Sequence, residues 1–168
     1  MKKEVVDIDE LGLVRIDDRL IHGQVITVWS RHKKFTRILI LDDDVSADPF
    51  MLEVLGLAAP PGIKVEALSI VDGVKDLVSG RNDLGTTMVL LKSPLAARQA
   101  CDAGLKYSAL NVGGIGSKPG RKNIFKNISV SSDEIAILKY LLDQGVKITL
   151  LTVPGEKSRD FADLAAKL

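Results

Sequence analysis

Leu11-Gly12-Leu13-Val14-Arg15-Ile16 is an apolar run of strand length, and it passes directly into Asp17-Asp18-Arg19-Leu20-Ile21-His22-Gly23-Gln24-Val25. Val25, Val28 and Trp29 then fall at helical spacing, so a strand, a polar loop and a helix follow one another within about twenty residues. The same unit recurs. Strand-length runs stand at Ile38 to Leu41, Ile63 to Leu68, Thr86 to Leu91, Ser108 to Val112 and Val146 to Val153. Between them Met51, Leu52 and Leu55, then Val74, Leu77 and Val78, then Ala96, Ala97, Ala100 and Cys101, then Ile135, Leu138, Leu141 and Leu142 repeat the helical spacing. Runs that are apolar on both faces suit strands covered on each side, so the pattern predicts a single open, mostly parallel α/β sheet with helices on both faces.

Punctuation sets the boundaries. Pro49 and Pro94 stand where helices should begin, and Gly80, Gly104 and Gly145 where they should stop. Ser131 and Glu134 form a capping-box pattern ahead of the last long helix. The stretch 113–126 holds four Gly, one Pro and four basic residues, too irregular for a helix and suited to a loop or a small edge hairpin near 113–130. Residues 1–10 read as an N-terminal extension, 11–153 as the domain, and 154–168 as a C-terminal tail with a short helix from Lys157 to Leu168.

The whole chain has 168 residues, 46% of them hydrophobic, enough for one well-buried domain. With 23 Lys+Arg against 22 Asp+Glu, its formal charge of +1 lacks the field a nucleic-acid binder uses. Cys101 stands alone and there are two His, which excludes an internal disulfide and the usual tetrahedral zinc set and fits a reducing compartment. Acidic Asp7, Asp9 and Glu10 follow the first lysines where a signal peptide has its apolar core, and no apolar run reaches membrane-spanning length. A soluble, cytoplasmic protein is expected.

Open α/β sheets bind ligands beyond the carboxyl ends of their strands, which directs attention to the loops there. The first loop is the most informative, with two carboxylates, a guanidinium and an imidazole within Asp17 to His22 and Gly23 permitting close backbone approach. A neutral imidazole nitrogen can attack phosphorus near neutral pH, and N–H groups at the following helix start can receive the phosphoryl charge. Arg19 can add a charge-assisted bond. The residue types alone leave a second reading open, in which Asp17, Asp18 and Arg19 are a local ion-pair cluster and His22 packs the loop. Other candidates are weaker. His32, beside Arg31, Lys33 and Lys34, suits a solvated helix end. Asp42, Asp43 and Asp44 invite a Mg²⁺-dependent phospho-aspartate site, but the next strand ends in Ser69-Ile70-Val71 without an acidic residue, so a loop and helix-start role is expected. Gly113-Gly114-Ile115-Gly116 lacks the full dinucleotide spacing and no phosphate-binding P-loop occurs. Lys92 reads as a strand-end charge, Trp29 and Cys101 as packing residues.

Residues 15–25, Arg-Ile-Asp-Asp-Arg-Leu-Ile-His-Gly-Gln-Val, resemble the phosphorylation-site loop of the IIB component in the mannose/fructose/sorbose family of the bacterial sugar phosphotransferase system. Ala59-Pro60-Pro61-Gly62 with Lys64-Val65, Lys92-Ser93-Pro94, Asn111-Val112-Gly113-Gly114 and Ile128-Ser129-Val130 follow in the family's order, so the resemblance covers roughly residues 11–153. It implies a cytoplasmic phosphohistidine carrier, associated with the inner face of the membrane, that takes phosphate from a IIA component and delivers it to a sugar held by membrane IIC and IID components. It places the acceptor on His22, through Nδ1, and the phosphate-facing guanidinium on Arg19. Asp17, Asp18, Gly23 and Gln24 become loop neighbours, and Lys92, Ser93, Asn111, Gly113 and Gly114 a candidate rim. A homodimer follows by analogy, and the sugar is left unnamed. No metal or cofactor is expected, since transfer between carriers needs mainly positioning and electrostatics. A module regulated by phosphorylation at His22 is the alternative. The family's usual Asn-Asp-Glu after the second strand is replaced here by Asp42-Asp43-Asp44.

Overall fold

A computed structural model describes residues 11–168, and the expected N-terminal extension, residues 1–10, lies outside them. The described chain runs β1 (Leu13–Asp17), α1 (Gly23–His32), β2 (Arg37–Leu41), α2 (Asp43–Ser46), α3 (Pro49–Leu57), β3 (Lys64–Leu68), α4 (Ile70–Leu77), β4 (Thr87–Leu91), α5 (Pro94–Asp102) and β5 (Ala109–Gly114). It continues with β6 (Lys122–Phe125), β7 (Ile128–Val130), α6 (Ser132–Asp143), β8 (Lys147–Leu150), β9 (Arg159–Asp160) and α7 (Phe161–Ala165). Seven strands form one sheet in the order β3-β2-β4-β1-β5-β8-β9, parallel except for β9, which pairs antiparallel with β8. No helix among the described residues is long and apolar enough to cross a membrane.

Strand alternation divides the core into two layers. Val14, Ile16, Leu39, Leu41, Val89, Leu91, Val112 and Leu150 face α4, α5, α6 and α7, while Ile38, Ile40, Met88 and Leu90 face α1, α2 and α3. β2 and β4 are buried along their whole length, as central strands of a two-sided sheet should be. Each aliphatic side chain so buried contributes about 1.5–3 kcal/mol relative to exposure. Close approach of α4 to the sheet needs Gly73, where a Cβ would overlap the Leu41 side chain. At the amino end of β2, buried Arg37 pairs with Glu66 at 2.6 Å and Asp76 at 2.8 Å, tying β2, β3 and α4 together.

The layers locate the crevice. The chain leaving β1 turns to the α1 face, whereas the chains leaving its neighbours β4 and β5 lead to helices on the other face. The loops therefore part at the carboxyl end of β1, the place where such sheets bind ligands.

Two local expectations need adjustment. The 113–130 hairpin is present as β6 and β7, a separate two-stranded antiparallel sheet, but Gly113 and Gly114 belong to β5. The tail helix does not run from Lys157 to Leu168. Arg159–Asp160 pairs with Leu150 and Thr149 as β9, and the helix occupies only Phe161–Ala165 after its Asp160 cap. Phe161 and Leu164 turn into the core from this helix, and β9 is too short to show a period of its own. Ser131 and Glu134 do form the capping box of α6, and Gly80, Gly104 and Gly145 do adopt positive φ after their helices.

Candidate functional site

In β1, Val14 and Ile16 point into the larger core layer, so Arg15 and Asp17 project toward the α1 face. Both are 1% exposed. A charged pair survives such burial only if its hydrogen-bonding capacity is met. The Arg15 guanidinium donates to Asn111 Oδ1, to the Leu151 carbonyl at 3.1 Å and to Asp17 Oδ2 at 2.9 Å, and lies 5.6 Å from the Trp29 ring centroid. Burial pulls its pKa down from the usual arginine value, against the opposing pull of Asp17. Gly113 makes the room, since a Cβ there would overlap the guanidinium.

Asp17 is the hub. Its Oδ1 accepts from Arg19 N at 3.1 Å and Nε at 2.9 Å, and its Oδ2 from Arg19 Nη2 at 2.8 Å as well as from Arg15. Burial pushes the carboxyl's pKa up, but the hydrogen bonds from Arg19 and the charge of Arg15 outweigh it and hold the group below its ordinary value. The hydrogen bond to Asp17 correspondingly raises the pKa of Arg19. Asp17 engages the Nε/Nη2 edge of the Arg19 fork, and Arg19 Nη1 has no acceptor among the described residues. The half-exposed Arg19 thus presents its terminal Nη1/Nη2 edge outward from a fixed base.

The rest of the loop is pinned from β5 and its continuation. Asp18 N donates to the Gly114 carbonyl at 3.1 Å, and Asp18 Oδ2 accepts from Gly116 N at 2.7 Å. Asn127 Nδ2 and Thr152 Oγ1 both donate to the Gly113 carbonyl, at 3.1 and 3.2 Å. Leu20 takes φ 57°, a left-handed turn that costs energy for a branched side chain, offset here by burial of Leu20 beside Val25, Ile26 and Trp29.

His22 is the N-cap of α1, half-buried, with φ −113° and ψ 112°. Among the described residues, six of the seven α-helices start on an Asp or Ser side chain that accepts from the first turn: Asp42, Asp48, Ser69, Ser93, Ser131 and Asp160. Only α1 lacks one, and its first turn has no acidic residue. Its opening N–H groups, at Gly23, Gln24 and Val25, have no carbonyl partner within the helix and concentrate the positive end of its dipole beside His22. His22 Nδ1 is closed to solvent and without a hydrogen-bond partner among the described residues. Arg19, the α1 start and His22 together offer donors to an anion and a ring nitrogen to bond it.

Of the remaining candidates, Gly23 and Gln24 are exposed at the α1 start, and Lys92 is exposed after β4. Ser93 caps α5 through Ala96 N. Asn111, expected at the rim, is instead 6% exposed behind the loop, where it orients Arg15. Gly114 adjoins Arg19, Asp17 and Asn127. Asp42 caps α2, Asp43 accepts from Ile70 N at the start of α4, and no group of three or more His, Cys, Asp or Glu among the described residues is arranged to hold a metal ion. His32 packs edge-on to Trp29 at the far end of α1. Arg15, Asn127 and Thr152 had not been singled out. A charge within an apolar strand run was the available signal for Arg15; nothing local marked the other two, which reach the loop from 14 and 39 residues beyond Gly113.

The family model described as "PTS system sorbose subfamily IIB component" matches residues 11–168. The sorbose-specific EIIB component of Klebsiella pneumoniae is 36% identical over 154 residues, covering 92% of this chain and 94% of that protein. The mannose-specific EIIAB component of Escherichia coli (strain K12) is 29% identical over 158 residues, which are 94% of this chain and 49% of that protein. Among solved structures, the IIBSor domain of the sorbose permease from Klebsiella pneumoniae superposes with a TM-score of 0.83 at 35% identity, covering 94% of this chain and 97% of that one.

Proposed function

This chain belongs to the sorbose subfamily of phosphotransferase-system IIB components, and on that premise we propose that it carries a phosphoryl group on His22 from a IIA component to a sugar entering through membrane IIC and IID components. The observation that supports this most is the α1 start, the one helix start in seven among the described residues without a side-chain acceptor, with His22 as its cap. Arg19 three residues earlier keeps its terminal edge free. A relative named as an EIIAB component joins both designations in one protein, which supports a IIA component as donor.

In the first transfer a lone pair of the His22 ring attacks phosphorus as the bond to the donor's nitrogen breaks. Developing charge on the phosphoryl oxygens is met by the Nη1/Nη2 edge of Arg19 and the N–H groups of Gly23, Gln24 and Val25. The family's acceptor nitrogen is Nδ1, which is closed to solvent here, so transfer through it requires the ring to turn outward. In the second transfer a sugar hydroxyl oxygen bonds phosphorus, the N–P bond breaks, and the freed ring nitrogen takes up the hydroxyl proton. Asp17 and Arg15 touch neither reactant. They hold Arg19 in register and leave one net positive charge among the three side chains. Cytoplasmic placement at the membrane's inner face follows from this role.

The test is to load the protein with labelled phosphate through phosphoenolpyruvate, the general phosphotransferase proteins and a matching IIA component, then add membranes holding IIC and IID with sugar. A carrier passes the label to the sugar. Label that stays on the protein with every sugar tried would overturn the carrier role in favour of a phosphorylation-controlled regulator.

A further inference from the structure

Helix α3 is apolar on the outside. Phe50 is 71% exposed, Val54 40% and Leu57 82%, while only Leu55 of the helix is buried. The three stand at i, i+4 and i+7, so they share one face over about 10 Å of helix. An exposed apolar stripe of this kind is the form in which an amphipathic helix docks into a partner's groove. The segment that carries it bears one sign of charge. Asp43, Asp44, Asp48 and Glu53 are exposed on α2, its connection and α3, and no Lys or Arg occurs between Leu41 and Lys64. Asp43 also binds Ile70 N, which brings the first turn of α4, with Val71 54% exposed, against the same acidic edge.

We propose that the Phe50–Val54–Leu57 face of α3 is the docking surface for the Lys/Arg-rich cytoplasmic loops of the membrane components, an assignment that rests on the phosphocarrier reading above. Charge selects the occupant. Cytoplasmic loops of membrane proteins carry an excess of Lys and Arg, which complements this acidic rim. A second copy docking by the same face would set the two rims of carboxylates against each other. The anionic inner leaflet would repel the rim as well. Position agrees: α3 starts at the carboxyl end of the sheet, and only β4 separates β2 from β1, about 10 Å across two strand spacings. A partner held on α3 stands beside the His22 loop without covering it.

The experiment uses two double variants of the full chain, Phe50→Ser with Leu57→Ser, and Asp44→Lys with Glu53→Lys. All four side chains are exposed, and thermal melts check that both fold as the unmodified protein does. Co-sedimentation is measured with inside-out vesicles holding the membrane components and with protein-free vesicles of the same lipid, alongside label uptake from phosphorylated IIA and oligomeric state by analytical ultracentrifugation in solution. The expected result is binding to component-bearing vesicles weakened about tenfold or more in each variant, with uptake from IIA unchanged. Undiminished vesicle binding would overturn the proposal. So would lost uptake from IIA, which would assign the face to the donor, conversion of a dimer to a monomer, which would assign it to a second copy, or equal binding to protein-free vesicles, which would assign it to lipid. A protein that takes no label at His22 would defeat the carrier reading separately, since vesicle binding needs no phosphate.

Discussion

Gly113→Ala should be the most destabilising single-methyl change at the site. An ideal Cβ at residue 113 overlaps the Arg15 guanidinium. A surface arginine would swing aside, but this one is 1% exposed and tied to Asn111, Leu151 and Asp17. Overpacking costs about 1–3 kcal/mol, and each hydrogen bond to a charged group that breaks costs about 1.5–3 kcal/mol. One broken bond puts the loss at roughly 3–6 kcal/mol, a large share of a typical stability of about 5–15 kcal/mol. For a chain of this size that corresponds to a fall in Tm of roughly 6–24 °C. Gly23→Ala is the control. Nothing lies within 4 Å of its added Cβ and its φ is not positive, so its Tm should change by no more than a few degrees. Calorimetry of the two variants makes the comparison, and a Gly113→Ala protein melting within a degree of the unmodified one would refute the packing argument for Arg15.

Asp17 titrates below its unfolded value, so it binds its proton more weakly in the folded state and its stabilisation is complete above the unfolded carboxylate range. Urea stability should fall as pH drops below about 4 toward the depressed folded value, and Asp17→Asn should be less stable at pH 7 by about 3–5 kcal/mol and lose that part of the acid slope. Arg19→Ala should slow uptake from IIA by roughly tenfold to over a hundredfold, with Arg19→Lys intermediate because an ammonium cannot grip Asp17 by one edge and phosphate by the other; quenched-flow labelling measures both. His32→Ala, at the opposite end of α1, should leave uptake unchanged in the same assay.

Most of the sheet is legible because its strands are short apolar runs separated by turn residues, and because Ser131, Glu134, Gly80, Gly104 and Gly145 act through local geometry. β9 is not. Its two residues pair only because the tail folds back on β8, a tertiary contact with no periodic signature. The site divides in the same way. Asp17, Arg19 and His22 are close in sequence, so their residue types mark the loop, and the roles proposed for Arg19 and His22 rest on the family resemblance. The resemblance puts Asn111 on the rim through its segment's place in the family order, which tells nearness to the loop and not side-chain direction; alternation along β5 turns it toward Arg15. Asp42 and Asp43 accept from backbone N–H groups at the starts of α2 and α4, the helix-start role that their residue type and position suggest.

The claim that His22 receives the phosphoryl group is tested most directly by labelling from phosphoenolpyruvate through the general proteins and IIA, with the IIB protein isolated by gel, and then mapping the adduct. For the last step, isolated phospho-IIA is given to the protein with chelator present. The account predicts an adduct lost in acid, stable in base, indifferent to chelator, located on the peptide containing His22 and absent from a His22→Ala protein that melts normally. Metal-dependent, base-labile label that persists in His22→Ala and disappears when Asp42, Asp43 and Asp44 are replaced would contradict it.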